Sequence, residues 1–222
     1  MSAFGAPILL DLIGPPERAI LKRIANRVAY QDGEIVHDRG DVGTAFGLVV
    51  DGTVALFRTL ADGRQVFVSA VEVGQNFGDA ASLIDSSRTH HAVAVGNTVI
   101  DHISQDNLNC LLNEYPAIVL ALYKIASFRL MAAIEMLDDS RMLKTDVRVA
   151  KMLRRMAKAH ENKAVVPTLQ ETLCQVLGLS SVTVVKALRQ LSEKGLIKTR
   201  YRRIDIPDLA RFDLWLRTHD WE

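Results

Sequence analysis

The 222-residue sequence predicts an α+β fold: an antiparallel β-domain, then one long helix, then a helix-turn-helix with a β wing. Three observations carry this. Between residues 30 and 103, short alternating runs are punctuated by Asp32-Gly33, Arg39-Gly40-Asp41, Asp51-Gly52, Asp62-Gly63, Val73-Gly74 and Phe77-Gly78. Turn signals spaced about ten residues apart mark antiparallel sandwiches, rolls and barrels. From Ala117 to about Leu143 neither glycine nor proline interrupts the chain. Residues 168–191, TLQETLCQVLGLSSVTVVKALRQL, read as two short helices meeting at a glycine.

In chain order, Leu9, Leu10, Leu12, Ile13, Ile20, Leu21, Ile24 and Val28 recur in helical rhythm, and Pro15-Pro16 can open a helix. Short helices covering the β-domain are expected over residues 1–28. Asp62-Gly63, set between VALFRTL and QVFVSAV, is the clearest hairpin. The β rhythm breaks at residues 77–89. A helical turn opening at Gly78 would present unpaired amides and a positive dipole end, and Arg88 could close over an anion held there. Gly78, Asp79, Ala80, Arg88 and Thr89 are therefore the candidate effector-binding residues. The alternative is a structural corner in which Arg88 pairs with Asp79.

On the long helix, Val119, Leu122, Ala126, Leu130, Ala133 and Leu137 form an apolar row at offsets of three and four. A row mixing Leu with Ala lets two helices approach closely, so this is the expected dimer interface. Symmetric dimers also let a helix-turn-helix reach two half-sites about one turn of DNA apart. Asp138-Asp139-Ser140 is expected to be the hinge, and residues 146–159 the first helix of the next domain. Thr168 and Glu171 make a capping box, Leu169, Leu173, Val176 and Leu177 follow at helical spacing, and Gly178 ends the helix. Ser180 can cap a second helix with Val184, Leu188 and Leu191 inward and Ser181, Thr183, Lys186, Arg189 and Gln190 outward. A short, polar, basic face following a glycine turn suits a DNA major groove. Lys198-Thr199-Arg200 and Ile204-Asp205-Ile206, on either side of Tyr201-Arg202-Arg203, form a basic two-stranded wing. The acidic tail, residues 207–222, carries Phe212, Trp215 and Trp221 and should pack back as a helix.

The net charge of +1 hides an uneven distribution. Residues 1–145 hold 12 Lys/Arg against 17 Asp/Glu, whereas residues 146–204 hold 13 against 4. Such a basic excess is what phosphate contact requires. Cys110 and Cys174 are isolated, which excludes a cysteine metal site or an iron–sulfur cluster, and both are expected to be small buried residues. Adjacent His90 and His91 point to opposite faces of a strand, and with His37 and His102 they identify no haem or metal site. No N-terminal export signal and no run approaching 18 apolar residues is seen, so a cytoplasmic protein without a membrane span is expected. No usable Ser/His/Asp set, metal-ligand spacing or Walker-type loop points to an enzyme.

This order of parts resembles the Crp/Fnr family of bacterial transcription regulators. The resemblance is carried by QETLCQVLGLSSVTVVKALRQLSEKGLI, by GDVGTAFGLVVDGTVALF at Gly40 to Phe57, and by the FGD…RT segment. It implies a jelly-roll-like β-roll sensor over residues 1–116, a dimerisation helix and hinge over 117–145, and a winged helix-turn-helix over 146–222. It further implies a homodimer on a pseudo-palindromic operator, RNA polymerase as a partner, and control by a small anionic effector, a cyclic nucleotide being the family's usual one. A regulator needing no effector, its pocket filled by side chains, is the alternative within the same fold.

Residue by residue the resemblance is uneven. Gly78, Arg88 and Thr89 match the family's phosphate-gripping residues, but Asp79 stands where nucleotide-binding members carry glutamate. Where members specific for cyclic AMP hold adenine with hydroxyls, this sequence reads Met131-Ala132-Ala133-Ile134. Ser181 and Val182 replace the arginine and glutamate that read guanine and cytosine edges in many members, so a different operator is expected. Lys186 keeps a basic position suited to base contact, while Ser180, Thr183 and Arg189, with Arg200, Arg202 and Arg203 on the wing, would hold phosphates; Thr168 completes the expected set of DNA-binding residues.

Overall fold

The computed structural model describes residues 7–60, 63, 65–168 and 170–219. Its chain forms two compact units, Met1–Met131 and Ala132–Glu222. In the first unit, α1 (Leu9–Leu12) and α2 (Pro15–Ile24) precede the strands β1 (Asn26–Tyr30), β2 (Ile35–His37), β3 (Ala45–Thr59), β4 (Gln65–Glu72) and β5 (Asn76–Phe77). A short α3 (Asp79–Leu83), β6 (His91–Ser104) and α4 (Gln105–Glu114) follow, and α5 (Pro116–Met142) begins there. Val28, expected in a helix, lies on β1, because α2 stops at Ile24.

The sheet is antiparallel in the order β1-β6-β3-β4, with β2 on β6 and β5 on β3. Two long strands organise it, β3 against β6 with register shifts around Asp51 that bend the pair, as β-bulges do. The β3–β4 hairpin forms, pairing Thr59 with Gln65; Asp62, half of its expected turn signal, lies outside the described residues. Inside the sheet Val49, Val54, Val71, Phe77, Ala92 and Ile100 make one core. Leu9 and Leu21 from the leading helices, Leu108 and Leu111 from α4, and Ile118, Ala121, Leu122 and Ile125 from α5 make another against Phe46, Leu48 and Ile103. Cys110 is exposed and Cys174 only half-buried, against expectation; on α4, Leu108 and Leu111 take the inward positions and Cys110 falls between them.

The packing of α5 revises its expected row. Leu122 is buried in its own subunit's core, so it leaves the predicted dimer interface. Tyr123, 68% exposed, takes that place, and Val119, Tyr123, Ala126, Leu130, Ala133 and Leu137 form an exposed seam. Its steps alternate between four and three residues, which is the coiled-coil repeat. The helix also has an 18-residue window of mean hydropathy 1.8, long and apolar enough to cross a bilayer, contrary to the sequence expectation. One face buried in a protein core and Arg129 paired with a carboxylate account for that composition in another way. Asp138-Asp139-Ser140 is helical, and Asp139 is held by Lys151 at 2.9 Å, so the chain leaves the helix only at Leu143 and Lys144.

The second unit continues with α6 (Thr145–Met156), β7 (Lys158–His160), β8 (Lys163–Val166), α7 (Gln170–Leu177), α8 (Ser181–Glu193), β9 (Lys198–Arg200), β10 (Arg203–Ile206) and α9 (Leu209–His219). The predicted helix over residues 146–159 ends early, and Lys158 to Val166 form a hairpin that makes the wing part of a four-stranded sheet, β7-β8-β10-β9. The tail helix forms as α9, with Phe212 fully buried; Trp221 lies outside the described residues. Val147, Ala150 and Leu153 of α6, Leu173 of α7 and Val184, Leu188 and Leu191 of α8 close one core with Phe212.

Candidate DNA-reading face and effector pocket

Helix α8 divides as its spacing dictates. Val184, Ala187, Leu188 and Leu191 are buried, while Ser181, Val182, Val185, Lys186, Arg189 and Gln190 are exposed. Val182, 80% exposed, projects an apolar group from a helix start, as contact with a thymine methyl requires. Val185, 45% exposed, is an added member of this face; counting it inward or outward from periodicity alone was ambiguous, since it borders Val184. Ser180 is the N-cap, accepting from the Thr183 amide at 3.2 Å, and the two hydroxyls share a 2.7 Å hydrogen bond. Gly178 takes φ 63° between the helices, a left-handed conformation that glycine adopts without steric cost.

Other expected DNA contacts are partly committed within the chain. Arg189 pairs with Glu193 at 2.8 Å, and Arg200 and Arg203 both pair with Asp205, at 2.7 and 3.1 Å. Arg202 sits in the turn between β9 and β10 at φ 55°, next to Tyr201, which is 89% exposed. Thr168 is buried ahead of α7, so its hydroxyl is not on the reading face; Leu169, expected on that helix, lies outside the described residues.

In the β-domain, Gly78 takes φ 75° and starts α3, with Asp79 and Ala80 as its first residues. A Cβ at Gly78 would collide with the Arg88 guanidinium. Arg88 is buried and donates to the carbonyls of Gly78, at 2.8 Å, and Ala45. It does not pair with Asp79. That carboxylate, 5% exposed, is held by Arg129 of α5 at 3.0 and 3.1 Å, and Arg129 also donates to the Asn76 carbonyl at 2.7 Å. Sequence reasoning missed Arg129, whose only signal is being one of three cations, with Lys124 and Arg141, on a largely apolar long helix. Arg88 is therefore hydrogen-bonded to neutral carbonyls, and burial holds its pKa below the ordinary value against the opposing charges of Asp41 and Asp79. Thr89 is exposed, its hydroxyl 2.8 Å from His90 Nδ1.

Two families account for this arrangement. Residues 27–115 match the cyclic nucleotide-binding domain family and residues 147–213 the Crp-like helix-turn-helix domain family. The chain belongs to the Crp/Fnr family of transcriptional regulators. This Crp/Fnr regulator is 26% identical to the cyclic AMP receptor protein of Thermus thermophilus over 93% of its own length and 94% of that protein's. It is 27% identical to the CRP-like cAMP-activated global transcriptional regulator of Mycobacterium tuberculosis, over 90% and 92% of the two chains. Among solved structures it superposes on the c-di-GMP-responsive global regulator CLP of Xanthomonas campestris with a TM-score of 0.72, at 19% identity, covering 87% of this chain and 99% of that one.

The β-domain of this regulator also holds histidines kept neutral by their surroundings. His37 stacks on Phe77 with ring centroids 5.8 Å apart, and burial, then the Arg88 charge, lowers its pKa to about 4. Burial lowers His102 and His90 in the same direction. Unfolded, the His37 ring titrates near 6.5, so between that pH and about 4 the unfolded chain binds more protons there than the folded one. Stability is therefore present above pH 6.5 and is lost as pH falls through this window. For His37 the shift corresponds to about 3 kcal/mol, reduced to about 1–2 kcal/mol by its partial exposure. Urea unfolding at about pH 7.5 and 4.5 should give the lower midpoint in acid, and His37→Gln should narrow the gap; an equal gap in that variant would remove His37 as the cause.

Proposed function

We propose that this regulator acts as a homodimer, reads a pseudo-palindromic operator through α8, and is controlled by a small anionic effector held by Gly78, Asp79, Ala80, Arg88 and Thr89. Residues 1–116 serve as sensor, 117–145 as dimerisation helix and hinge, and 146–222 as the DNA-binding part. It works without catalysis in the cytoplasm, where DNA and RNA polymerase are its partners, and a cyclic nucleotide is the first effector to test.

The observation that carries the DNA reading is the split of α8 into a buried underside and an exposed face containing Lys186, Val182 and Ser181. The effector reading is supported by Arg88, a buried guanidinium that donates to two carbonyls and, among the described residues, is ion-paired with neither of the carboxylates whose charge it feels, Asp41 and Asp79. An anion there would replace carbonyl dipoles with a full charge, which strengthens each hydrogen bond.

Selection of bound fragments from random DNA should enrich an inverted repeat whose half-sites lie about one helical turn apart. Lys186→Ala should lower affinity for that site by about 1–3 kcal/mol and relax one position of each half-site. Enrichment of no repeat, or a Lys186→Ala protein with unchanged affinity and preference, would overturn the DNA assignment. Calorimetric titration with cyclic AMP and cyclic GMP, against Arg88→Ala, tests the effector half: heat that survives the substitution removes Arg88 from the site.

A further inference from the structure

The cavity beside Arg88 carries more positive charge than one phosphate requires. About 730 Å³ in volume, it is lined by Arg39, Arg58, Arg88, Thr89, His90 and His91, with Gly40 and Ser87 completing its wall. Pockets of this size hold small-molecule ligands. Arg39 and Arg58 are exposed, and among the described residues neither guanidinium has a hydrogen-bond or ion-pair partner. The nearby carboxylates are engaged elsewhere. Asp38 lies 2.9 Å from His91 Nδ1, and Asp41 accepts from the Asp38 amide at 2.8 Å. The other face of His91 is 3.1 Å from the Thr59 hydroxyl. No acidic side chain lines the cavity itself.

Cations gathered in one concavity repel one another, and the Asp38 and Asp41 carboxylates nearby offset only part of that charge. His90 registers that field: after burial, the charges of Arg58 and Arg39 are the next causes holding it neutral. Such an arrangement is relieved when an anion occupies the space between the cations, and two guanidinium forks match phosphate oxygens bidentately. We infer that this cavity holds a second phosphate, on Arg39, Arg58 and His90, so that the effector is a small molecule carrying two phosphate groups. This rests on the effector reading above and narrows its ligand class, because a cyclic mononucleotide bound at Arg88 would leave Arg39 and Arg58 unused.

The test is calorimetry on the full-length protein with three probes, cyclic di-GMP, pyrophosphate and cyclic AMP, on wild type, Arg39→Gln/Arg58→Gln and Arg88→Ala. Both substituted arginines are exposed, and a thermal melt of the double variant is the check that it folds. Cyclic di-GMP should bind wild type at least roughly tenfold more tightly than cyclic AMP, and the double variant should lose roughly a hundredfold for cyclic di-GMP, two charge-assisted contacts being removed. Cyclic AMP should stay within about twofold in the same variant, and the cyclic di-GMP affinity should weaken with added salt. Pyrophosphate binding that needs Arg39 and Arg58 also supports the inference, and assigns recognition to the phosphates alone. Equal affinity for cyclic AMP and cyclic di-GMP, or cyclic di-GMP binding untouched by the double variant, overturns it. Arg88-dependent binding of cyclic AMP with no binding of either two-phosphate probe overturns this inference and leaves the effector reading intact. Binding of cyclic di-GMP that needs Arg39 and Arg58 but ignores Arg88→Ala overturns both, since the second phosphate is placed beside one held at Arg88. Loss of operator affinity in the ligand-free double variant would reassign the cluster to DNA.

Discussion

A Leu130→Glu/Leu137→Glu variant is expected to sediment as a monomer and to lose operator affinity by at least about a hundredfold, because two linked half-site contacts become one. Both leucines are half or more exposed, at 60% and 50%, and lie in the seam that steps from Val119 through Tyr123, Ala126 and Ala133. Closing that seam would desolvate two carboxylates from each subunit with no partner, which costs far more than the removal of the leucine side chains. The substitutions touch neither α8 nor the buried face of α5, so helical circular dichroism should persist. Sedimentation as a dimer would place the subunit interface on another surface.

How much of this was legible follows from where each signal resides. Gly63 and Gly178 announce a hairpin and a helix junction because the left-handed conformations they adopt favour glycine. The hairpin of β7 and β8 turns instead at Glu161, φ 52°, a charged residue that reads as a continuation of the helix before it. The seam of α5 was misplaced by one residue for a related reason. Apolar side chains occupy two faces of that helix, and periodicity alone does not say which face its own core will take; the core took Leu122 and left Tyr123 outside. Local spacing singles out Gly78, Asp79 and Arg88, and Arg88 does reach the Gly78 carbonyl, but the partner of Asp79 is Arg129, fifty positions away, and pairing over that distance leaves no local trace.

The second large effect is expected at that pair. Arg129→Leu should destabilise the β-domain by about 2–4 kcal/mol, below the range for a fully buried ion pair because the arginine is 37% exposed. The cost arises less from lost attraction than from what remains, a 5% exposed Asp79 carboxylate stripped of its hydrogen-bonded cation. The Asn76 carbonyl loses its donor as well. Thermal unfolding should shift down by about 5–12 °C. Combining Arg129→Leu with Asp79→Asn should recover much of the loss, since a neutral amide is less costly to hold there than a bare charge. A single variant that melts with the wild type would show the pair to be dispensable for folding.

The wing bears on how strongly this regulator responds to ionic conditions. Arg200 and Arg203 already share an internal counter-anion, Asp205. A duplex meeting them must displace that carboxylate, which then draws a cation from solution and offsets part of the cations the duplex releases, so the entropy of ion release is smaller than the number of basic residues suggests. Lys186 on the reading helix and Arg202 in the wing turn have no such internal anion among the described residues. Operator occupancy should consequently fall less steeply as cellular salt rises than the basic charge of residues 146–204 alone would dictate, which favours a regulator that holds its site through osmotic change.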